Sequence, residues 1–499
     1  MAVSCWLFAV GCWLLAILPV PYSLFPIPSF MTNTVTIAAT FIAFLLLFTA
    51  VGIYSATQKE DTTADYLLAS RSVNPWLTAL SAMSTGQSGY LFAGQVGFAY
   101  SIGISAIWLT IGWAIGDYIA WWFVFRNLRE ISEETSSETV STFLAQNNKG
   151  ARSITIISAL ITIAFLGSYA AAQLVAGSKA LYVMFDWDMY VGIVLGAIIV
   201  VIYCFSGGIR ASIWTDAVQA TIMIGSLLML LFVALFYSGG IGELWTKLGA
   251  IDSGLTSLNP DKLPWGFFPF FIGWVVAGFG VVGQPHILVR GMAIDSAENI
   301  GKARDLKAIC GLVNSFSAIG IGLAGRVLLT QLGDSELALP TLSQELLPAI
   351  LVGVMLAGLF SATMSTADSL ILSCSAALTQ DIFPNLAKSY NLAKLGTLTV
   401  TAIVLSIAIA GDDNVFEIVN FSWSILASSL GPLLLVRVWR LPITTTVAIA
   451  MMGGGMTGAL IWRVVLGFNA AINEVLAGML AGILVYLIFN FAQQRRGAD

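Results

Sequence analysis

Histidine is all but missing from this 499-residue chain, and charge is scarce. A single histidine leaves no room for a His-based zinc site or a His-dependent catalytic triad. Only 10% of residues are charged against 58% hydrophobic, so a soluble domain of this length could not cover itself with polar surface. A net charge of −5 and the lack of any basic block argue against a nucleic-acid partner. The five cysteines (Cys5, Cys12, Cys204, Cys310 and Cys374) are scattered through apolar segments with no CxxC, and read as small core hydrophobes. Nothing in the chain supports an enzyme.

What the chain has instead is membrane-length apolar runs, with a mean hydropathy of +0.88. Taking about 17–25 residues as spanning, about thirteen follow Met31. They start near residues 34, 76, 100, 153, 189, 215, 264, 308, 346, 393, 415, 442 and 469. With the first of these starting outside, Lys179, Lys247, Lys262, Arg326 and Arg463 fall outside, and the other seventeen of the 22 basic residues fall inside. That asymmetry predicts a multi-pass protein of the plasma (inner) membrane with a cytoplasmic C-terminus. Residues 1–30 form an apolar N-terminal extension. No Lys or Arg precedes Lys59, so a mis-called start, an extra span and an atypical signal all stay open.

Two spans are interrupted midway. The first carries Ser84-Thr85-Gly86-Gln87-Ser88-Gly89, the second Gly278-Phe279-Gly280-Val281-Val282-Gly283-Gln284-Pro285. Backbone that leaves a helix inside hydrocarbon strands its polar groups unless they line a cavity or hold a ligand. Paired broken spans in two halves of a chain point to a transporter's binding site. They are the second and seventh spans, so spans two to six and seven to eleven form a five-plus-five inverted repeat. The expected organisation is a first span and loop (31–75), a first repeat (76–240), an outer loop (241–263), a second repeat (264–440) and two last spans with a tail (441–499). The fold class is an all-α polytopic membrane protein built as one domain. Gly453-Gly454-Gly455 suits close helix packing.

The ninth span holds Ala362, Ser365, Thr366, Ser369 and Ser373 at i, i+3, i+4, i+7 and i+11, one helical face. Such a stripe bonds a neighbouring helix or supplies oxygens to a hard cation, to which carbonyls freed at Ser84 and Gln87 would add. Asp368 lies on the same helix, where a carboxylate is expensive and marks function, meeting either an ion or a substrate ammonium. Asp216, near the start of the sixth span, reads equally as a functional acid or a helix N-terminal anion. Asp117 and Glu417 sit nearer span ends, where snorkelling suffices. Tyr169 and Gln173, at i and i+4, suit a substrate contact or a gate. His286 reads as a structural hydrogen-bonder.

Several stretches together carry a resemblance: Asp65-Tyr66-Leu67-Leu68 with Arg71-Ser72, Thr78-Ala79-Leu80-Ser81-Ala82, Trp214-Thr215-Asp216, Gly283-Gln284-Pro285-His286-Ile287-Leu288 and Met364-Ser365-Thr366. From about residue 34 to 490 the chain resembles the sodium/solute symporters, and within them the bacterial sodium/proline symporters. The resemblance implies alternating access around a midplane site and Na+ as co-transported ion. Its sodium site would fall on the carbonyls of Ser84, Gln87 and Ala362 and the hydroxyls of Ser365 and Thr366, with Asp216 serving a further sodium or coupling. The solute would lie near Ser88, Gly89, Tyr90, Tyr169, Gln173, Gln284 and Pro285, with Asp368 as a candidate partner. Four positions depart from the proline branch: Gly86 stands for an aspartate, Asp368 for a serine, and Ala277 and Val281 for a tryptophan and a tyrosine.

The expected function is a sodium-driven symporter of a small organic solute, working in the lipid bilayer. Proline is the best single solute. Another amino acid, a betaine or choline-like cation, a carboxylate or a sialic acid is the alternative. A membrane sensor module is the reading from another class; such chains continue into soluble domains, whereas this sequence stops at Asp499. A channel would need a continuous pore, which two broken helices at one site disfavour.

Overall fold

The structure, a computed structural model, describes residues 30–57, 63–146, 150–260, 263–329, 332–385, 390–411 and 414–496. The apolar N-terminal extension lies outside the described residues except for the start of the first helix. The long helices are α1 (Phe30–Ala56), α2 (Pro75–Tyr90), α3 (Ile107–Phe123), α4 (Ala151–Phe185), α5 (Met189–Ser238), α6 (Phe267–Phe279) and α7 (Pro285–Ala293). They continue as α8 (Ile300–Leu328), α9 (Ala349–Ala376), α10 (Tyr390–Ala410), α11 (Val415–Val438), α12 (Thr445–Leu460) and α13 (Glu474–Arg496). Among the described residues there is no strand, only an isolated bridge between Val73 and Ile294.

Among the described residues, nine helical stretches are long and apolar enough to cross a membrane, and ten with the bent pair α6–α7. This matches the expected thirteen only in part, for physical reasons visible in the chain. One stretch, Pro75–Glu134, runs on through a turn at Gly103, whose φ of 78° only glycine adopts freely. Helix α5 would be about 75 Å long if straight, over twice the hydrocarbon thickness. It is interrupted at Gly208 (φ 63°), which separates two apolar pieces, Met189–Ile202 and Gly208–Ser238.

Both interrupted spans are broken where the sequence indicated. Asn74 caps α2 by accepting from the Trp76 amide, Pro75 takes the first turn, and the helix then breaks at Ser88 (φ 52°, ψ −174°). Helix α6 tightens into a 3₁₀ turn over Gly280–Gly283 and re-starts at Pro285 after a 62° bend. Pro285 dictates that restart: its ring drives Gln284 extended (φ −105°, ψ 95°), and its missing N–H is not needed at a helix start.

Helix α9 is the hub, packed against α1, α2, α4 and α5. Helix α11 packs on α4, α12, α13 and the 280–283 turn. Residues before α2 lock one end of the assembly. Asp65 pairs with Arg210, and Arg71 donates to Ser132, Ser137 and Met292, each at 2.9 Å. Burial, then the nearby Arg129, lowers the Arg71 pKa to about 10, which leaves it charged at neutral pH. Helix α3 lies close on α6 through glycines. A Cβ on Gly116 would lie 1.8 Å from the Val275 carbonyl oxygen, and one on Gly278 2.1 Å from that of Trp113. Gly455 makes a similar contact with the Ser428 carbonyl, as the glycine run predicted, whereas Gly453 faces open space.

Gly116→Ala should therefore force α3 and α6 apart at a cost of about 1–3 kcal/mol. Thermal unfolding of the purified protein in detergent should show a lower midpoint than wild type, and an unchanged midpoint would contradict this packing.

Candidate ion and solute sites

The break in α2 is held by α4. Ser88 at φ 52° is a strained conformation for a residue with a side chain, costing about 1–3 kcal/mol, and such strain clusters at functional sites. The Gly89 amide donates to Gln173 Oε1 at 2.8 Å, and Tyr169 Oη donates to Ser88 Oγ at 3.2 Å. A Cβ on Gly89 would meet Thr363 Cγ2 at 2.7 Å, so only glycine fits between α4 and α9. Tyr169 and Gln173, expected at a substrate contact or a gate, meet the break in α2, Gln173 at the Gly89 amide and Tyr169 at the Ser88 hydroxyl.

The break between α6 and α7 is held by α11 in the same way. Trp423 Nε1 donates to the Ala277 carbonyl at 2.8 Å, and Gln284 Nε2 donates to the Trp423 carbonyl at 3.0 Å. Gln284 Oε1, Gln173 Nε2 and both ring nitrogens of His286 are buried without a partner. Orphaned polar atoms this deep mark where water or a ligand belongs. The Tyr169 ring stands edge-on to His286, centroids 5.8 Å apart.

The hydroxyl stripe of α9 meets the backbone of α2. Thr366 Oγ1 donates to the carbonyls of Thr85 (3.1 Å) and Ala362 (3.0 Å), and Ser365 Oγ to that of Ala362 (3.2 Å). Thr85 Oγ1 donates to the Ser365 carbonyl at 3.3 Å. Neutral oxygens from both helices therefore converge, the donor set a hard monovalent cation takes. Of the expected α2 carbonyls, that of Gln87 already accepts from the Leu91 amide, and the Ser84 hydroxyl turns to the Ser81 carbonyl. Thr85, which the sequence reading did not single out, supplies both a carbonyl and a hydroxyl.

Beside this cluster lies a buried charge group. Asp216 Oδ2 accepts from Ser81 (2.6 Å), Thr85 (3.3 Å) and Arg290 (3.3 Å), while its Oδ1 has no partner. Arg290 also donates to Ser369, to the His286 carbonyl, and to Ser81 and Ser212 at 3.2 Å. Asp368 accepts from Ser369 (3.0 Å) and Ser212 (3.4 Å), on the Asp216 side. Asp216 lies past the first turn of the helical piece that starts at Gly208, too far along for an N-terminal cap. Arg290, counted by the sidedness argument as a loop cation, is 1% exposed. Its only sequence signal is a cation a few residues past a broken span.

A cavity of about 90 Å³ lies among α2, α3, α8 and α11, with Gly86, Tyr90, Trp113, Asp117, Lys307 and Trp423 on its wall. A second, of about 50 Å³, is lined by Pro285, Arg290, Ser369 and Ser373. Stacked rings separate the first cavity from a vestibule of about 420 Å³: Phe98 on Phe416 at 5.0 Å, and Phe416 on Tyr90 at 5.4 Å. In that vestibule Lys179 pairs with Asp334 (2.6 Å) and Glu336 (2.8 Å), and Glu336 accepts from the Val415 and Phe416 amides that open α11.

Gln173→Leu would leave the Gly89 amide buried and unpaired, a loss of about 1–3 kcal/mol. It should lower the unfolding midpoint; an unchanged midpoint would contradict the assigned bond.

The sequence profile of the sodium:solute symporter family matches residues 66–458. The high-affinity proline transporter PutP of Bacillus subtilis is 29% identical over 452 residues, 88% of this chain and 93% of its own. The sodium/proline symporter of Staphylococcus aureus is 29% identical over 480 residues, 91% of this chain and 92% of its own. A Na+-coupled sialic acid symporter, solved substrate-bound and outward-open, superposes with a TM-score of 0.75 at 19% identity, covering 91% of this chain and 98% of that one. A nucleobase-cation-symport-1 family transporter superposes at 0.56 with 17% identity over 85% and 94% of the two chains. These two likenesses establish a common fold. The chain belongs to the sodium:solute symporter family: it is a multi-pass membrane transporter, not an enzyme, and sodium is its co-transported ion.

Proposed function

We propose that the protein imports a small organic solute with sodium, and that proline is the first solute to test. The observation that carries the reading is the meeting of the α9 hydroxyls with the α2 backbone at Thr366 and Thr85. Sodium would sit there, held by the Ala362 carbonyl, the Ser365 and Thr366 hydroxyls, and main-chain oxygens of the Ser84–Gln87 segment. Proline is favoured because the two bacterial relatives above carry that solute in their names. Each sodium entering across ~100 mV releases about 2.3 kcal/mol, enough to concentrate a solute roughly fifty-fold.

Asp216 suits a second cation. Its Oδ1 is buried without a partner beside the hydroxyl cluster, an oxygen open to a cation. Asp368 goes with Asp216 in this role rather than with the solute. Thirteen crossings follow if Pro75–Glu134 is divided at Gly103, the bent pair is one span, and Met189–Ile202 and Leu395–Ala410 also cross. The two repeats would then have opposite orientation, and the basic-residue asymmetry would put the C-terminus in the cytoplasm.

In proteoliposomes, proline should accumulate only under an inward sodium gradient, and Ser365→Ala/Thr366→Ala should raise the sodium half-saturation by about tenfold or more. Sodium-independent uptake by wild type, or an unchanged half-saturation in the double variant, would sink the reading. Asp216→Asn should flatten the sodium dependence of uptake toward a single-site curve; an unaltered curve would remove the second site.

A further inference from the structure

The wall of the 90 Å³ cavity carries two charged side chains, Asp117 of α3 and Lys307 of α8. From the sequence Asp117 reads as a residue snorkelling near a span end; the structure turns it inward, onto Lys307. The two form an ion pair, with side-chain exposures of 13% and 11%. Lys307 Nζ also lies 5.5 Å from the Trp121 ring centroid.

Among the other polar groups of this wall, the Tyr90 hydroxyl is buried without a partner, whereas the glutamine amides are committed. Gln87 donates to the Gly311 carbonyl (2.7 Å) and Ser315 Oγ (3.2 Å), and accepts from Asn314 (2.8 Å). Gln95 donates to Thr110 at 2.7 Å. Gly86 brings no side chain at all. The remaining wall is apolar, with aliphatic side chains and an aromatic side where Trp113 stands against Trp423 at 4.7 Å and against Tyr90 at 6.5 Å. Asp117 is one helical turn past Trp113, and Lys307 one turn before Gly311, so along each helix the charged residue stands about 5 Å from those wall positions.

We propose that Asp117 and Lys307 together read the two charges of a zwitterionic amino acid, the carboxylate at Lys307 and the ammonium at Asp117. The inference rests on the symporter reading for its solute and names that solute's class. A zwitterion completes an alternating four-charge arrangement with the pair and adds no net charge to the cavity. A monoanion would face Asp117 and a monocation would face Lys307, each leaving one like-charge contact in a poorly solvated space. The aromatic wall accepts the apolar part of the solute.

Direct binding to the purified full-length protein in lipid nanodiscs tests this without requiring transport. The probes are proline, alanine and a betaine, each alongside the amine lacking its carboxylate and the acid lacking its amino group. Wild type should bind at least one zwitterion about tenfold or more tighter than both of its singly charged relatives. Lys307→Met should erase the advantage over the amine, and Asp117→Asn the advantage over the acid. A wild type that binds no zwitterion preferentially overturns the proposal, as do variants that weaken all three forms alike. If neither variant folds, wild type and the swapped pair Asp117→Lys/Lys307→Asp decide it: the swap should retain the zwitterion preference, and its loss in a folded protein counts against the proposal. Zwitterion-selective binding together with sodium-independent uptake would keep the charge reading and reject sodium coupling, so the two can fail separately.

Discussion

Everything in this molecule depends on how main-chain groups released inside a membrane are satisfied. Two helices stop being helices at Ser88 and at Gln284, where hydrocarbon offers their released amides and carbonyls no partner. The answer is the same at each break, given by a different helix. At the first, Gln173 takes the Gly89 amide and Tyr169 steadies Ser88. At the second, Trp423 grips both sides, donating to Ala277 and accepting from Gln284. The breaks are therefore fixed points, and what they leave unsatisfied (the Gln173 and Gln284 amides, the His286 ring) is confined to a small buried region.

Charge is handled with similar restraint. In a chain with so few ionisable residues, three of them, Asp216, Arg290 and Asp368, are gathered between α5, α7 and α9 and tied together through Ser81, Ser212 and Ser369. The serines do what water would do elsewhere, solvating charge with short dipoles. Because Arg290 belongs to the half-helix after the second break and Ser81 to the helix with the first, the cluster joins both breaks to α9. An ion arriving at the hydroxyl stripe would alter bonds that reach each of them.

The local features of this design were readable in the sequence because they are written locally. Serine and glycine inside the second span, and glycines ending in Gln284-Pro285 in the seventh, announce broken backbone wherever the tertiary structure puts them. The stripe through Ala362, Ser365, Thr366 and Ser369 follows from helical period alone. What escaped are pairings between distant parts of the chain. Nothing near Arg290 says that it turns inward to Asp216, 74 residues earlier. Nothing near Asp117 announces Lys307. Tyr169 and Gln173 were recognisable as a functional face, but whether that face meets a solute or a loosened backbone depends on Gly89, 84 residues away from Gln173. The span count blurred for a simpler reason: hydropathy registers apolar length, whereas at Gly103 and Gly208 the chain is redirected by one backbone torsion.

The ring stack between vestibule and cavity has a thermal consequence. Phe98, Phe416 and Tyr90 close that route with apolar faces rather than with main chain. Parting them to admit a solute would wet those faces, and wetting apolar area raises heat capacity by about 0.45 cal/K/mol for each Å². The equilibrium between sealed and open forms thus acquires curvature against temperature. Cooling weakens the seal as the hydrophobic drive fades, and a plot of opening against inverse temperature bends instead of running straight.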